Sequence, residues 1–177
     1  MILDLGAVAK GYTADRICEI LKENNVSKAI IDLGGNIFAL GEKSENTPWK
    51  IGIQNPEQNR GDIIGSLSIE NKSVVTSGIY ERFIEQYDKK YHHILSPFTG
   101  YPYENEIAGV TIISEKSIDG DALSTSTFSL GVELGLEFIN NKSNVEAIFI
   151  TKDRKVYLSD GVKDIFNLTN TDFTIMN

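Results

Sequence analysis

The side chains with chemical reach in this sequence fall into a few short stretches. Asp4-Leu-Gly-Ala-Val-Ala-Lys-Gly11 sets a small-residue turn at the start of a predicted helix. Free backbone N–H groups and the helix dipole at such a start favour an anion, and Lys10 adds a cation beside them. Close packing at Gly6 and Gly11 explains the same pattern without any ligand. Asp121-Ala-Leu-Ser-Thr125 puts a carboxylate and a hydroxyl four residues apart, on one helix face, so both oxygens can turn to one point. Such a pair suits a hard divalent cation of the magnesium type, held by one or two protein carboxylates and completed by substrate phosphates. Asp near a helix start is also a common cap, and the spacing alone leaves both readings open.

His92 and His93 are the only histidines. They are adjacent in a predicted strand, so their rings face opposite sides and only one can serve a given site. His93 precedes Ile-Leu-Ser-Pro-Phe-Thr-Gly-Tyr-Pro, where a turn could hold its imidazole beside a reacting hydroxyl as general base. A histidine satisfied by the core or by solvent is the alternative. Thr76-Ser77-Gly78 offers hydroxyls and a flexible backbone at a strand end, as a ligand-contact turn or as an ordinary one. The single cysteine, Cys18, excludes an internal disulfide and a cysteine-based zinc site, and it reads as a buried, inert thiol.

The elements that must position these groups follow from periodicity. Val8, Tyr12, Ile17, Ile20 and Leu21 recur at helical spacing between Ala7 and Asn24. Lys28–Leu33 reads as a buried strand, Gly34-Gly35-Asn36 as a tight turn, and Ile37–Leu40 as a second strand. Trp49–Gln54 and Gly65–Glu70 alternate apolar and polar residues, and Ser73–Thr76 and Gly109–Ile113 add further strands. Hairpins are expected for Arg82–Tyr87 with Tyr91–Leu95, around Asp88-Lys89-Lys90, and for Glu146–Thr151 with Lys155–Leu158, around Asp153-Arg154. Ser117–Asn140 is helix-forming, interrupted by Gly131 and Gly135. The sum is an α+β layered fold, a largely antiparallel sheet with packed helices.

The chain has 177 residues, enough for one sizeable core, and 17 basic against 25 acidic residues give a formal net charge of −8. The basic residues are scattered, which excludes an electrostatic footprint for nucleic acid or an anionic membrane surface. No apolar run approaches a membrane span, and residues 1–25 lack the pattern of a signal peptide.

In this order, DLGAVAKGY at 4–12, DLGGN at 32–36, WKIGIQNP at 49–56, VVTSG at 74–78, YHHILSPFTGYP at 91–102 and DALST at 121–125 resemble the ApbE family of flavin transferases, the FAD:protein FMN transferases. The motifs lie in register over residues 4–125. The resemblance implies an ApbE-like fold and a magnesium-dependent enzyme. Such an enzyme cleaves its substrate FAD at the pyrophosphate, joins FMN through its phosphate to a Thr or Ser hydroxyl of an acceptor protein, and releases AMP. Some relatives hydrolyse FAD instead, and a flavin-binding module without turnover is the further alternative. Residue by residue, it implies Asp121, Thr125 and the carbonyl of Ala7 as magnesium ligands. Asp4, Lys10, Thr76, Ser77, Gly78 and Ile94 would contact the flavin nucleotide, and His93 would act on the acceptor hydroxyl.

Ser96 stands where the family's motif carries Asp before Pro, which removes a carboxylate suited to orient the histidine or its loop. Family members also carry a substantial region ahead of DLGAVAKGY. On that comparison residues 1–177 are expected to form a single ApbE-like domain, a C-terminal fragment with the metal half of the site and little activity alone. Ile2 and Leu3 would lack their partner element. The full-length parent is expected to be a bacterial, extracytoplasmic lipoprotein that meets the membrane through its anchor only, this chain itself being soluble.

Overall fold

A computed structural model describes residues 4–87 and 89–176; Ile2, Leu3 and Asp88, invoked above, lie outside the described residues. Helix α1 (Ala9–Glu23) is followed by β1 (Ala29–Asp32), β2 (Asn36–Leu40), β3 (Trp49–Gln54), β4 (Ile63–Ile69), β5 (Lys72–Gly78), β6 (Phe83–Gln86), β7 (Lys89–His92) and β8 (Ile107–Ser114). Helices α2 (Ser117–Leu130) and α3 (Val132–Asn140) come next, then β9 (Val145–Thr151), β10 (Lys155–Leu158), a 3₁₀ turn (Asp160–Val162), β11 (Phe166–Leu168) and β12 (Thr174–Met176). A seven-stranded sheet runs β1-β2-β5-β8-β9-β10-β12, a three-stranded sheet runs β11-β4-β3, and β6-β7 form a separate ribbon. Every pairing is antiparallel except β10 with β12.

The layers follow from alternation on the central strands. On β8, Val110 and Ile112 face Phe128 and Val132 of the helices, while Ile113 faces the opposite side. On β9, Ala147 and Phe149 face the helices, while Ile148 and Ile150 meet Ile51, Ile53 and Leu67 of the small sheet. Being covered on both faces, β8 is buried at every position from Ile107 to Ser114, which suits its β-branched run. Helix α1 closes one flank, where Ala14 and Cys18 pack on Ile31, Phe38 and Leu40.

Several expectations need correction. The buried face of α1 is Gly11, Ala14 and Cys18, whereas Tyr12 and Ile20 are exposed at 58% and 51%. Small residues face inward because α1 lies almost in backbone contact with α2. A Cβ on Gly11 would stand 2.6 Å from the Cα and N of Ile118. Strand β1 is an edge strand with only Ile31 buried. Gly131, with φ of 81°, does separate α2 from α3. Gly135 does not interrupt α3; it lets the helix settle on the Phe149 ring, whose Cε1 would be 2.8 Å from a Cβ there. Lys89 and Lys90 belong to β7 rather than to the hairpin turn.

Candidate functional site

The sequence-named residues converge. A cavity of about 720 Å³ is lined by Asp4, Ala7 and Lys10 from the entry to α1, by Thr76, Ser77 and Gly78 at the end of β5, by His93 and Ile94 just past β7, and by Asp121 and Thr125 on α2. The β1–β2 turn, Gly34-Gly35-Asn36, forms the wall between them. Glu81, Arg82, Leu95 and Ser124, which the sequence did not single out, line it too. A second cavity of about 560 Å³ shares Gly34, Gly35, Thr76 and Glu81 with the first and extends it toward Gln54 and Arg60.

Two helix starts are capped across the α1–α2 contact. Neither helix has a side-chain cap from its own N-cap residue. Instead, Asp15 of α1 accepts the N–H groups of Ser117 at 2.7 Å and Ile118 at 3.0 Å, in the first turn of α2. Asp121 of α2 accepts the Gly11 N–H with Oδ2 at 2.6 Å, in the first turn of α1. The cap reading of Asp121 is therefore met, but on the other helix. The first-turn N–H groups that favour an anion in the sequence are partly engaged by protein carboxylates; Asp4 likewise accepts the Gly6 N–H at 2.7 Å.

Gly11 lies in the first turn of α1, where an N–H has no acceptor within the helix, and Asp121 supplies one. Ala7, Asp121 and Thr125 all line the cavity, and a carbonyl, a carboxylate and a hydroxyl make an all-oxygen donor set of the kind that suits a hard cation such as Mg²⁺. With one carboxylate it is no closed cage: among the described residues no three His, Cys, Asp or Glu side chains gather around a point. Ser77 Oγ ties β5 to α2 by donating to Ser124 Oγ at 2.9 Å, and lies 3.4 Å from Thr125 Oγ1. Thr76 Oγ1 shares a 2.8 Å hydrogen bond with Thr111. Lys10 Nζ donates to the Gly34 carbonyl at 3.2 Å, which pins the lysine to the β1–β2 turn and leaves it further donors.

The two imidazoles part, although β7 ends at His92 and the strand expected to run from Tyr91 to Leu95 does not include His93. His92 turns inward: its ring meets Phe128 edge-on at 5.7 Å and its Nε2 donates to the Tyr103 carbonyl at 3.0 Å. Burial holds its pKa below the ordinary value. His93 is exposed to the cavity, with Nδ1 3.1 Å from the Arg82 carbonyl. A carbonyl only accepts, so Nδ1 donates and Nε2 is the ring nitrogen not engaged by this bond. Ser96 is buried and accepts the Phe98 N–H at 3.3 Å, so its hydroxyl serves the turn itself, while the Arg82 carbonyl orients His93. Cys18 is 4% exposed, and burial pushes its thiol up to about 11, which keeps it protonated and inert at neutral pH.

Asp15, Asn36 and Ser117 escaped sequence reasoning as site residues. Asn36 carried a signal, as the one polar residue closing the Gly34-Gly35 turn onto a strand; Asp15 carried none, because it acts on another helix.

Comparison with known proteins agrees with this architecture. A family model described as the ApbE family matches residues 1–149. The chain is similar to an FAD:protein FMN transferase of Klebsiella pneumoniae, 45% identical over 177 residues, covering all of this chain and 54% of the relative. One from Treponema pallidum is 39% identical over 183 residues, covering 99% of this chain and 51% of the relative. Among solved structures, the ApbE protein of Thermotoga maritima aligns with a TM-score of 0.82 at 33% identity, over 92% of this chain and 53% of that one. The chain spans about half the length of the curated relatives it matches.

Proposed function

The chain belongs to the ApbE family, and from that premise we propose that it carries the metal- and base-bearing half of a flavin transferase that moves FMN from FAD to a Thr or Ser hydroxyl of an acceptor protein. One observation supports the reading: a single cavity is lined by Ala7, Asp121 and Thr125, by Lys10, and by His93, whose Nδ1 donates to the Arg82 carbonyl at 3.1 Å. A pyrophosphate needs cations on one side and a base for the incoming hydroxyl on the other.

In this proposal Lys10 and Arg82 offer positive charge to the phosphates, and Asp4, Thr76, Ser77, Gly78 and Ile94 contact the nucleotide. Asp121, Thr125 and the Ala7 carbonyl would hold magnesium, which when bound offsets negative charge on the pyrophosphate. His93 Nε2 takes the proton of the acceptor hydroxyl as that oxygen bonds to the FMN-side phosphorus. The bond from this phosphorus to the bridging oxygen breaks, and AMP leaves with the electron pair. The extracytoplasmic, lipid-anchored location of the parent belongs to the same proposal and rests on the family resemblance; metabolic labelling of the parent with a fatty-acid analogue tests it.

The transfer itself is tested by incubating the full-length parent with FAD, magnesium and an acceptor protein and reading in-gel flavin fluorescence. A labelled acceptor with stoichiometric AMP is expected. FMN and AMP without label would make the reaction hydrolysis, and release of neither would leave flavin binding alone.

A further inference from the structure

Asp121 is held by more than its place on α2. Asn36, only 2% exposed, donates from Nδ2 to Asp121 Oδ1 at 3.0 Å. The Asn36 Oδ1 in turn accepts the Ser117 hydroxyl at 2.6 Å. Ser117 is fully buried, accepts a hydroxyl from Ser73 at 2.8 Å, and has its backbone N–H fixed on Asp15.

The donor–acceptor inventory gives this chain a direction. An ionised carboxylate only accepts, so the Asn36 face toward Asp121 is its amide NH₂, and its carbonyl must then face Ser117. Ser117 has one hydroxyl proton and directs it to Asn36, so it accepts from Ser73. Hydrogen bonds aligned in this way, out of reach of water, reinforce one another. The other carboxylate oxygen is held by the Gly11 N–H. Two donors from two separate elements, one on each oxygen, define the plane of the carboxylate and leave each oxygen a further lone pair.

We infer that Asn36, clamped by Ser117, is a positioning residue that sets the Asp121 carboxylate for a divalent cation. The inference rests on the metal reading given under the proposed function. Ser117 acts one step further out, and Ser73 holds Ser117. Losing such an outer partner of a metal ligand weakens metal affinity by about 10- to 100-fold.

Mn²⁺ is the probe, titrated into this chain and followed by loss of the free-ion electron paramagnetic resonance signal, with a thermal melt of each protein alongside. Asn36→Leu and Ser117→Ala are expected to bind Mn²⁺ about 10- to 100-fold more weakly at temperatures where both remain folded. Asp121→Ala is expected to lose the site. Wild-type affinity in both outer variants, even with lowered melting temperatures, would make their role purely structural and overturn the inference while leaving the metal reading in place. No binding by the wild type, or equal binding by Asp121→Ala, would remove the metal reading and the inference together. Should Asn36→Leu fail to fold, Ser117→Ala decides, since it keeps Asn36 and removes only the clamp.

Discussion

Replacing Asp15 with alanine removes the acceptor from two N–H groups at the start of α2, those of Ser117 at 2.7 Å and Ile118 at 3.0 Å. Ser117 is fully buried, so its freed N–H has no water to turn to, whereas Ile118 is only half-buried. A hydrogen bond to a charged acceptor contributes about 1.5–3 kcal/mol and a lost helix cap costs about 0.5–2 kcal/mol, two descriptions of one event that are not summed. With partial rehydration at Ile118, we expect Asp15→Ala to cost about 2–3 kcal/mol, a fall of roughly 4 to 12 °C in melting temperature for a chain of this size. Asp15→Asn keeps one carbonyl oxygen and should lose about half as much. Arg16→Ala is the control one residue along. Arg16 pairs with Glu19 on the surface, both side chains 53% exposed, and its loss should shift stability by less than about 0.5 kcal/mol. The assay is paired thermal and urea melts of the four proteins. If Asp15→Ala melts with Arg16→Ala, reciprocal capping does not hold the helices together.

The His93→Ala variant of the full-length parent should transfer flavin about 100- to 10,000-fold more slowly with FAD binding little changed, as stopped-flow turnover and FAD titration would show; unchanged turnover would remove His93 as the base. His92→Ala should spare the chemistry and instead cost about 1 kcal/mol of stability in urea melts, because the Tyr103 hydrogen bond and the Phe128 ring contact go. Burial lowers the His92 pKa in the folded state, so the unfolded chain binds the proton more tightly. The stability this neutral ring contributes is present above its ordinary value of 6.5 and is lost as pH falls through the lowered folded value. Urea melts at pH 7.5 and 5.5 should therefore show a shallower acid loss for His92→Phe than for wild type, and parallel losses would contradict the assignment. Asp121→Ala should abolish magnesium-dependent transfer and also lower the melting temperature, since it releases both Gly11 and Asn36; normal magnesium-dependent turnover would end the metal reading.

The central sheet was legible because its signals are local. Val110-Thr-Ile-Ile113 is β-branched throughout, and the turn at Asp153-Arg154, with Arg154 at φ of 63°, separates two alternating runs. Strands β11 and β12 were not anticipated: each is three residues long, and β12 exists only through parallel pairing with the distant β10. Tyr12 and Ile20 misled because helical period shows which residues share a face, not which face finds a partner. The decisive contact on α1 is made by a glycine, which apolar pattern-reading passes over. At the site, motif spacing brought Asp4, Lys10, His93 and Asp121 to notice, and the cavity unites them. The Asp15 carboxylate that caps α2 from α1 had no sequence trace, because a hydrogen bond between residues 102 positions apart has no spacing to read.

The β6–β7 ribbon presents His92 as its last residue and His93 one residue beyond. It pairs with neither larger sheet, and all of β6 is exposed. What holds it in phase lies on either side of His93: the His92 ring, bonded to the Tyr103 carbonyl, and Ile94, 4% exposed, seated with Val110 and Phe128. An insertion of one residue before His92 would shift that phase, carrying His93 to the buried place now taken by Ile94 and His92 to the place facing the cavity. The same pair of letters would then line a different cavity, so the length of the ribbon shapes this wall as much as the imidazole that follows it.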